Sequence, residues 1–147
     1  MAATKGLSEA QWNFKPATNK WSVAEVTEHI AAAEDLIFST VTEKVMTAPG
    51  RTNTVEVINI DEFVLKQVPD RSHKFSAPEP LQPNNRFGSP EASLKHFEAS
   101  RAKTIAFMEN TKDLRGHAMA SPMGEQLDAY EWVALDRRTQ RSPYKTN

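Results

Sequence analysis

The chain has 147 residues, with 18 lysines and arginines against 19 aspartates and glutamates, a net charge of -1, and no cysteine. Its length suits one domain with a single core. The balanced charge gives no electrostatic case for binding nucleic acid or an anionic membrane, and the lack of cysteine excludes disulfides, thiolate nucleophiles and cysteine-based zinc sites. No apolar run reaches the length of a membrane span and the first residues lack the apolar segment of a signal peptide, so a cytoplasmic protein is expected.

Four helices are predicted, over about residues 22–47, 54–68, 90–112 and 124–141. A short helical turn capped by Ser8 precedes them. Ser22 and Glu25 form a Ser-x-x-Glu capping box at the start of the first helix, which Pro49 and Gly50 end. The segment 54–68 can also alternate as a strand, but its length and the absence of a partner strand favour a helix.

A proline-rich stretch, residues 69–90, predicts a long crossover loop between the second and third helices. The helices each carry an apolar stripe that needs covering, and no convincing strand is found. We therefore predict an all-α fold, a four-helix bundle formed by residues 1–147 as a single domain.

His29 lies beside the apolar stripe of the first predicted helix. A lone histidine in that position is usually structural, and it becomes a metal ligand when other ligands converge on it. His73 falls in the crossover loop, His117 precedes the fourth helix, and His96 is on a side of the third helix expected to be solvated. No two of them have the i, i+4 spacing, so spacing alone favours a structural role.

Arg101 interrupts the apolar line of the third predicted helix, between Phe97 and Ile105. A buried arginine is normally paired, and Glu34 or Asp35 of the first helix is the expected partner. The sequence favours a structural ion pair. The alternative is a group that binds the anionic part of a substrate in a pocket.

Two stretches resemble the DinB-like superfamily of metal-dependent four-helix-bundle proteins. The first is LSEAQWNFKPATNKWSVAEVTEHIAAAED, from Leu7 to Asp35, and the second is SPEASLKHFEASRAKTIAFMENTKDLRGH followed by SPMGEQLDAYEW, ending at Trp132. The resemblance implies a four-helix bundle, often a homodimer, that holds nickel or zinc through three histidines. Some relatives are thiol-dependent transferases or hydrolases.

His29 matches the first histidine of that family, whereas the other two are missing. The resemblance implies a His-x3-His pair after Trp132, and in that register the chain has Thr139 and Pro143. A shift by one residue gives Arg138 and Ser142, which are no better. The metal site of the chain as written is therefore expected to be incomplete, with His29 as one of three ligands.

The resemblance stops abruptly after Trp132. If the codons of the tail are read one nucleotide later, they can encode Trp-x6-His-x2-Arg-His, which restores histidines at positions 139 and 143. One hypothesis is therefore a reading-frame slip. The other is a genuine tail in a lineage that gave up its metal.

Two functions follow from the sequence. The first is a relative of metal-dependent transferases or hydrolases, inactive as written, with His29 as a metal ligand and Arg101 as a substrate-binding residue. The second is a non-catalytic helical bundle that binds a small ligand or a protein partner. The sequence does not identify the substrate.

Overall fold

The computed structural model describes residues 4–51, 77–122 and 124–139, with the side chains of the last helix described as far as Leu135. Its elements are α1 (Glu9–Asn13), α2 (Val23–Thr40), α3 (Pro90–Asn110), β1 (Ala118–Ala120), β2 (Gln126–Asp128) and α4 (Ala129–Thr139). The prediction of an all-α fold is confirmed, and helices α2, α3 and α4 correspond to the first, third and fourth predicted helices. The second predicted helix, residues 54–68, lies outside the described residues.

Local capping signals explain where the first two helices begin. The Ser8 hydroxyl accepts the Gln11 N–H and the Gln11 side chain accepts the Ser8 N–H, so α1 opens with a capping box. Ser22 and Glu25 make the same reciprocal pair at the start of α2. Each box satisfies two backbone N–H groups that the first helical turn leaves without partners.

Helix α2 is the central element of the described structure, since α1, α3, α4 and the crossover loop all pack on it. It continues as a π-helical turn over Val41–Val45. Its fully buried face carries Ala31, Ala32 and Glu34, whereas the apolar stripe noted in the sequence is only half buried. Small residues on this face allow the backbone of a neighbouring helix to approach closely.

Helix α3 packs on α2, and most of the side chains that α3 buries are small and polar. Ser89 caps it by accepting the Ala92 N–H. Four side chains of α3 are buried: Ser93, Phe97, Ser100 and Thr104. Three of these four carry hydroxyl groups, and two of them, Ser100 and Thr104, donate to carboxylates of α2.

The predicted start of the fourth helix near Gly124 is wrong. Residues around Gly124 form the turn of an antiparallel hairpin, in which Met119 pairs with Leu127. Gly124 has a φ of 88°, a backbone conformation that favours glycine. Helix α4 begins only at Ala129, directly after β2.

The main buried apolar cluster joins the end of α2 to the hairpin and α4. It consists of Val41, Val45, Leu127, Ala129, Trp132 and Val133. The hairpin therefore belongs to the core, because Leu127 of β2 is completely buried. Among the described residues, no helix is long and apolar enough to cross a membrane.

Candidate metal and ligand site

His29 lies half-buried on α2, between a tryptophan and the crossover loop. Its ring centroid is 5.0 Å from that of Trp21. Its Nδ1 lies 2.9 Å from the carbonyl oxygen of Leu81. A carbonyl only accepts hydrogen bonds, so Nδ1 carries the proton and Nε2 of the neutral ring has the lone pair. In the described part of the chain, Nε2 has no hydrogen-bond partner.

The crossover loop is bound to α2 by the residue next to His29. The Glu28 carboxylate accepts the backbone N–H groups of Asn84, Asn85 and Arg86, at 2.8, 2.9 and 3.1 Å. Burial raises the pKa of Glu28, but these backbone hydrogen bonds outweigh burial and the pKa is lowered from its ordinary value of 4.5. The carboxylate therefore stays ionised and holds the loop.

Arg86 closes the same loop from the other side. Its Nε lies 3.2 Å from Glu28 Oε1. Its two terminal nitrogens donate to the carbonyls of Pro80 and Gln82, both at 2.8 Å. The residue between these two carbonyl groups is Leu81, whose own carbonyl accepts from His29.

The donor set around His29 does not fit a three-histidine metal centre. Among the described residues, no group of three histidine, cysteine, aspartate or glutamate side chains is placed to hold a metal ion. His73 and the side chains of Thr139 and Pro143 lie outside the described residues. From their chemistry, neither threonine nor proline replaces the imidazole that the resemblance implies at those positions.

His96 and His117 are engaged elsewhere in the fold. His117 Nδ1 lies 2.5 Å from the carbonyl oxygen of Ala48. His96 was expected to be solvated; its side chain is 41% exposed, yet Nε2 lies 2.6 Å from Oδ2 of Asp35. Its ring also stacks on Phe87, with centroids 4.4 Å apart.

Ser100 joins His96 and Asp35, so three residue types of a hydrolytic triad meet between α2 and α3. A serine nucleophile needs the histidine between its hydroxyl group and the carboxylate. Here the carboxylate is in the middle, because Ser100 donates to Asp35 Oδ1 at 2.7 Å and is 3.4 Å from His96 Nε2. The cluster therefore links two helices and is not ordered as a catalytic triad.

Arg101 pairs with Glu34, as the sequence predicts. One terminal nitrogen of Arg101 lies 2.6 Å from Glu34 Oε2, and the two side chains are 15% and 1% exposed. Thr104 donates to the other carboxylate oxygen. The ion pair accounts for an arginine on an apolar line.

Arg101 also borders a cavity of about 370 Å³ between α3 and α4. Its described lining is largely apolar and includes Ile105, Met108, Leu114, Tyr130 and Val133. A larger cavity of about 800 Å³ lies between α1 and the starts of α2 and α3, and its described lining includes Glu28 but not His29. The cavity beside Arg101 is therefore the better candidate for an apolar ligand with a charged group.

A second charged cluster, at the start of α4, was missed by the sequence analysis. Asp128 and Glu131 form a capping box, with bonds of 2.7 and 2.9 Å. Arg51 lies 3.0 Å from each carboxylate. The Asp-x-x-Glu spacing is the signal that could have found it, since it repeats the Ser22–Glu25 pattern.

Burial changes the chemistry of this second cluster. Glu131 is fully buried and its Oε1 has no hydrogen-bond partner among the described residues, although Arg115 is 3.9 Å away. Burial, followed by the charge of Asp128, raises the pKa of Glu131 in spite of its bonds to the Asp128 N–H and Arg51. Through Asp128 and Glu131, the cluster joins Arg51 to the second strand of the hairpin and to α4.

Comparisons with known proteins identify a relationship across most of the chain. The family profile described as the DinB superfamily matches residues 1–135. An uncharacterised protein of Bacillus subtilis (strain 168), YuaE, is 26% identical over 130 residues, which cover 88% of this chain and 76% of that protein. No solved structure matches the chain.

Proposed function

The chain belongs to the DinB superfamily. On that premise we propose that it is a non-catalytic helical domain that binds a small ligand or a protein partner. It keeps one metal-ligand position of the family, His29, without metal-dependent catalysis. One observation carries the proposal. His29 presents a nitrogen with a lone pair, yet no second metal ligand meets it among the described residues. A single imidazole does not hold a catalytic nickel or zinc ion, which needs about three protein ligands and an open position.

The extent of the family match supports this proposal. The match ends at Leu135, close to Trp132, where the motif resemblance also ends. The two histidines implied by the family would follow at positions 139 and 143. A frame slip and a genuine loss of the metal both predict that this chain, as written, lacks transferase or hydrolase activity.

The test is to restore the missing ligands and titrate nickel and zinc by calorimetry. The parent chain should bind neither ion stoichiometrically, whereas the double variant Thr139→His, Pro143→His should bind one ion per chain. Adding His29→Ala to the double variant should reduce the affinity by about tenfold or more, because one of three ligands is lost.

A matched control places the same two side chains one residue earlier. The variant Arg138→His, Ser142→His keeps the His-x3-His spacing but turns the pair about 100° around a helix. It should bind more weakly than the restored variant. Tight stoichiometric binding by the parent chain that His29→Ala abolishes would contradict the proposal, and failure of the restored variant to bind would contradict the role of His29.

A second candidate function is the binding of a small, mostly apolar ligand in the cavity beside Arg101. The observation that favours it is an apolar lining of Met108, Leu114, Tyr130 and Val133 with an arginine at its border. Arg101 would then interact with an anionic group on the ligand while keeping its bond to Glu34. The homodimer and the unidentified substrate implied by the resemblance remain predictions.

A further inference from the structure

We propose that the crossover loop from Pro78 to Arg86 is a positioning device for His29, which fixes its neutral ring as the Nδ1–H tautomer and leaves Nε2 unprotonated. This inference rests on the proposed role of His29 as the retained ligand position. It adds Leu81, Glu28 and Arg86 as positioning residues, because they act on His29 through hydrogen bonds of the loop.

The first step is the hydrogen bond itself. Leu81 is 52 residues from His29 in sequence, and its carbonyl oxygen lies 2.9 Å from Nδ1. Free histidine favours the proton on Nε2. A carbonyl acceptor aimed at Nδ1 reverses that preference, because the bond forms only when Nδ1 carries the proton.

The second step is the rigidity of the acceptor. A flexible carbonyl group would move with the imidazole ring and would not select a tautomer. The carbonyl of Leu81 lies between two carbonyl groups that are held in place. The carbonyls of Pro80 and Gln82 both accept from the Arg86 guanidinium at 2.8 Å. The planar guanidinium holds both carbonyls in one geometry, and a lysine ammonium does not reproduce that fork.

The third step ties the loop to the helix that carries the ring. Glu28, which precedes His29, accepts three backbone N–H groups of residues 84–86 and the Nε–H of Arg86. Asn85, at the centre of these three, has a φ of 62°, which turns the backbone so that successive N–H groups face one carboxylate. One turn of α2 therefore carries both the His29 ring and the Glu28 carboxylate. That carboxylate holds the loop whose Leu81 carbonyl accepts the hydrogen bond from the ring.

Trp21 makes a second contact with the His29 ring. Its ring centroid is 5.0 Å from that of His29, at an interplanar angle of 51°. Packing of this kind restricts rotation of the imidazole. The ring is thus held by an aromatic contact and by a hydrogen bond at Nδ1, and Nε2 is the nitrogen that remains for a ligand.

The experiment is ¹⁵N NMR of the histidine side chains in the folded, metal-free chain, at about pH 8.5, where an ordinary imidazole is neutral. His29→Gln identifies the His29 signals. In the parent chain we expect a protonated Nδ1 and an unprotonated Nε2. Arg86→Ala should lower the ratio of the Nδ1–H to the Nε2–H tautomer by about three- to tenfold, which corresponds to the loss of one net hydrogen bond.

Two further variants separate positioning from folding. Arg86→Lys keeps the charge but not the fork, so it should also lower the ratio; it replaces Arg86→Ala if circular dichroism shows that the alanine variant is unfolded. Lys15→Ala removes an exposed ion pair with Glu25, one turn before His29, and should leave the ratio unchanged.

Two results would overturn the inference: a dominant Nε2–H tautomer in the parent chain, or an unchanged ratio in a folded Arg86 variant. Neither result involves a metal ion. If the parent chain shows the expected tautomer but the variant Thr139→His, Pro143→His binds no metal, the proposed function is contradicted. The positioning of His29 is then still supported.

Discussion

At the scale of single residues, one buried carboxylate, that of Glu34, makes part of the polar contact between α2 and α3. Glu34 is 1% exposed and accepts bonds from Arg101 and Thr104. A buried carboxylate is costly unless charged and polar partners satisfy it. A buried ion pair adds little net free energy of unfolding compared with a well-packed apolar pair, whereas removing one partner alone is costly.

The variant Arg101→Met tests this structural role. It removes a charged partner of a buried carboxylate, and we expect the free energy of unfolding to fall by about 3–5 kcal/mol. Adding Glu34→Met should recover most of the loss, because an apolar pair replaces the ion pair and Thr104 can still donate to the Ser100 carbonyl. Urea denaturation measures both.

A ligand-binding Arg101 that keeps its bond to Glu34 predicts the same loss of stability, because the substitution takes a charged partner from the buried Glu34 in either case. A loss near zero in the single variant would therefore contradict the structural role of the ion pair without favouring the cavity as a binding site.

At the scale of elements, the starts of α1, α2 and α3 could be predicted from the sequence, whereas the start of α4, the hairpin and the site around His29 could not. Capping depends on residues three apart, so Ser8, Ser22 and Ser89 mark helix starts by themselves. The strands of the hairpin have only three residues each, too few to show an alternating pattern. The contact between His29 and Leu81 joins distant parts of the chain, and no local pattern encodes it.

Two capping boxes of the same geometry differ in their response to pH. Burial raises the pKa of Glu25 at the start of α2, but its bonds to Lys15 and Ser22 outweigh burial and lower the pKa from 4.5. Burial raises the pKa of Glu131 at the start of α4. A carboxyl group whose pKa is lower in the folded than in the unfolded state stabilises the fold above its unfolded pKa, and this stabilisation is lost as pH falls through the folded pKa. A carboxyl group whose pKa is higher in the folded state stabilises the fold at low pH, and this stabilisation is lost as pH rises through the folded pKa.

Glutamine variants should therefore change the pH dependence of stability in opposite directions. Glutamine keeps the capping hydrogen bond but does not ionise. Glu25→Gln should reduce the gain in stability between about pH 3 and pH 7, whereas Glu131→Gln should increase it. Thermal unfolding over this range gives the slopes, and slopes that shift in the same direction would contradict the opposite pKa shifts.

At the scale of the whole molecule, a buried apolar cluster and a set of ion pairs connect the same elements. The end of α2, the hairpin and α4 share Val41, Val45, Leu127 and Trp132. The buried ion pairs of Arg51 with Asp128 and Glu131 join the same elements. The hairpin, absent from the sequence prediction, therefore packs together with the end of α2 and with α4.

The variant Leu127→Ala tests whether the hairpin is part of the cooperative core. Leu127 is completely buried, and truncating a leucine in a close-packed core leaves a cavity, so we expect the free energy of unfolding to fall by about 2–5 kcal/mol. The matched control is Leu36→Ala on α2, the same exchange at a side chain that is 41% exposed, which should cost less than about 1 kcal/mol. Urea unfolding followed by both tryptophan fluorescence and circular dichroism should give one shared transition for Leu127→Ala, because the cluster connects the hairpin to α2 and α4. Equal losses of unfolding free energy in the two leucine variants, or a hairpin that unfolds before the helices, would show that the hairpin is not part of the cooperative core.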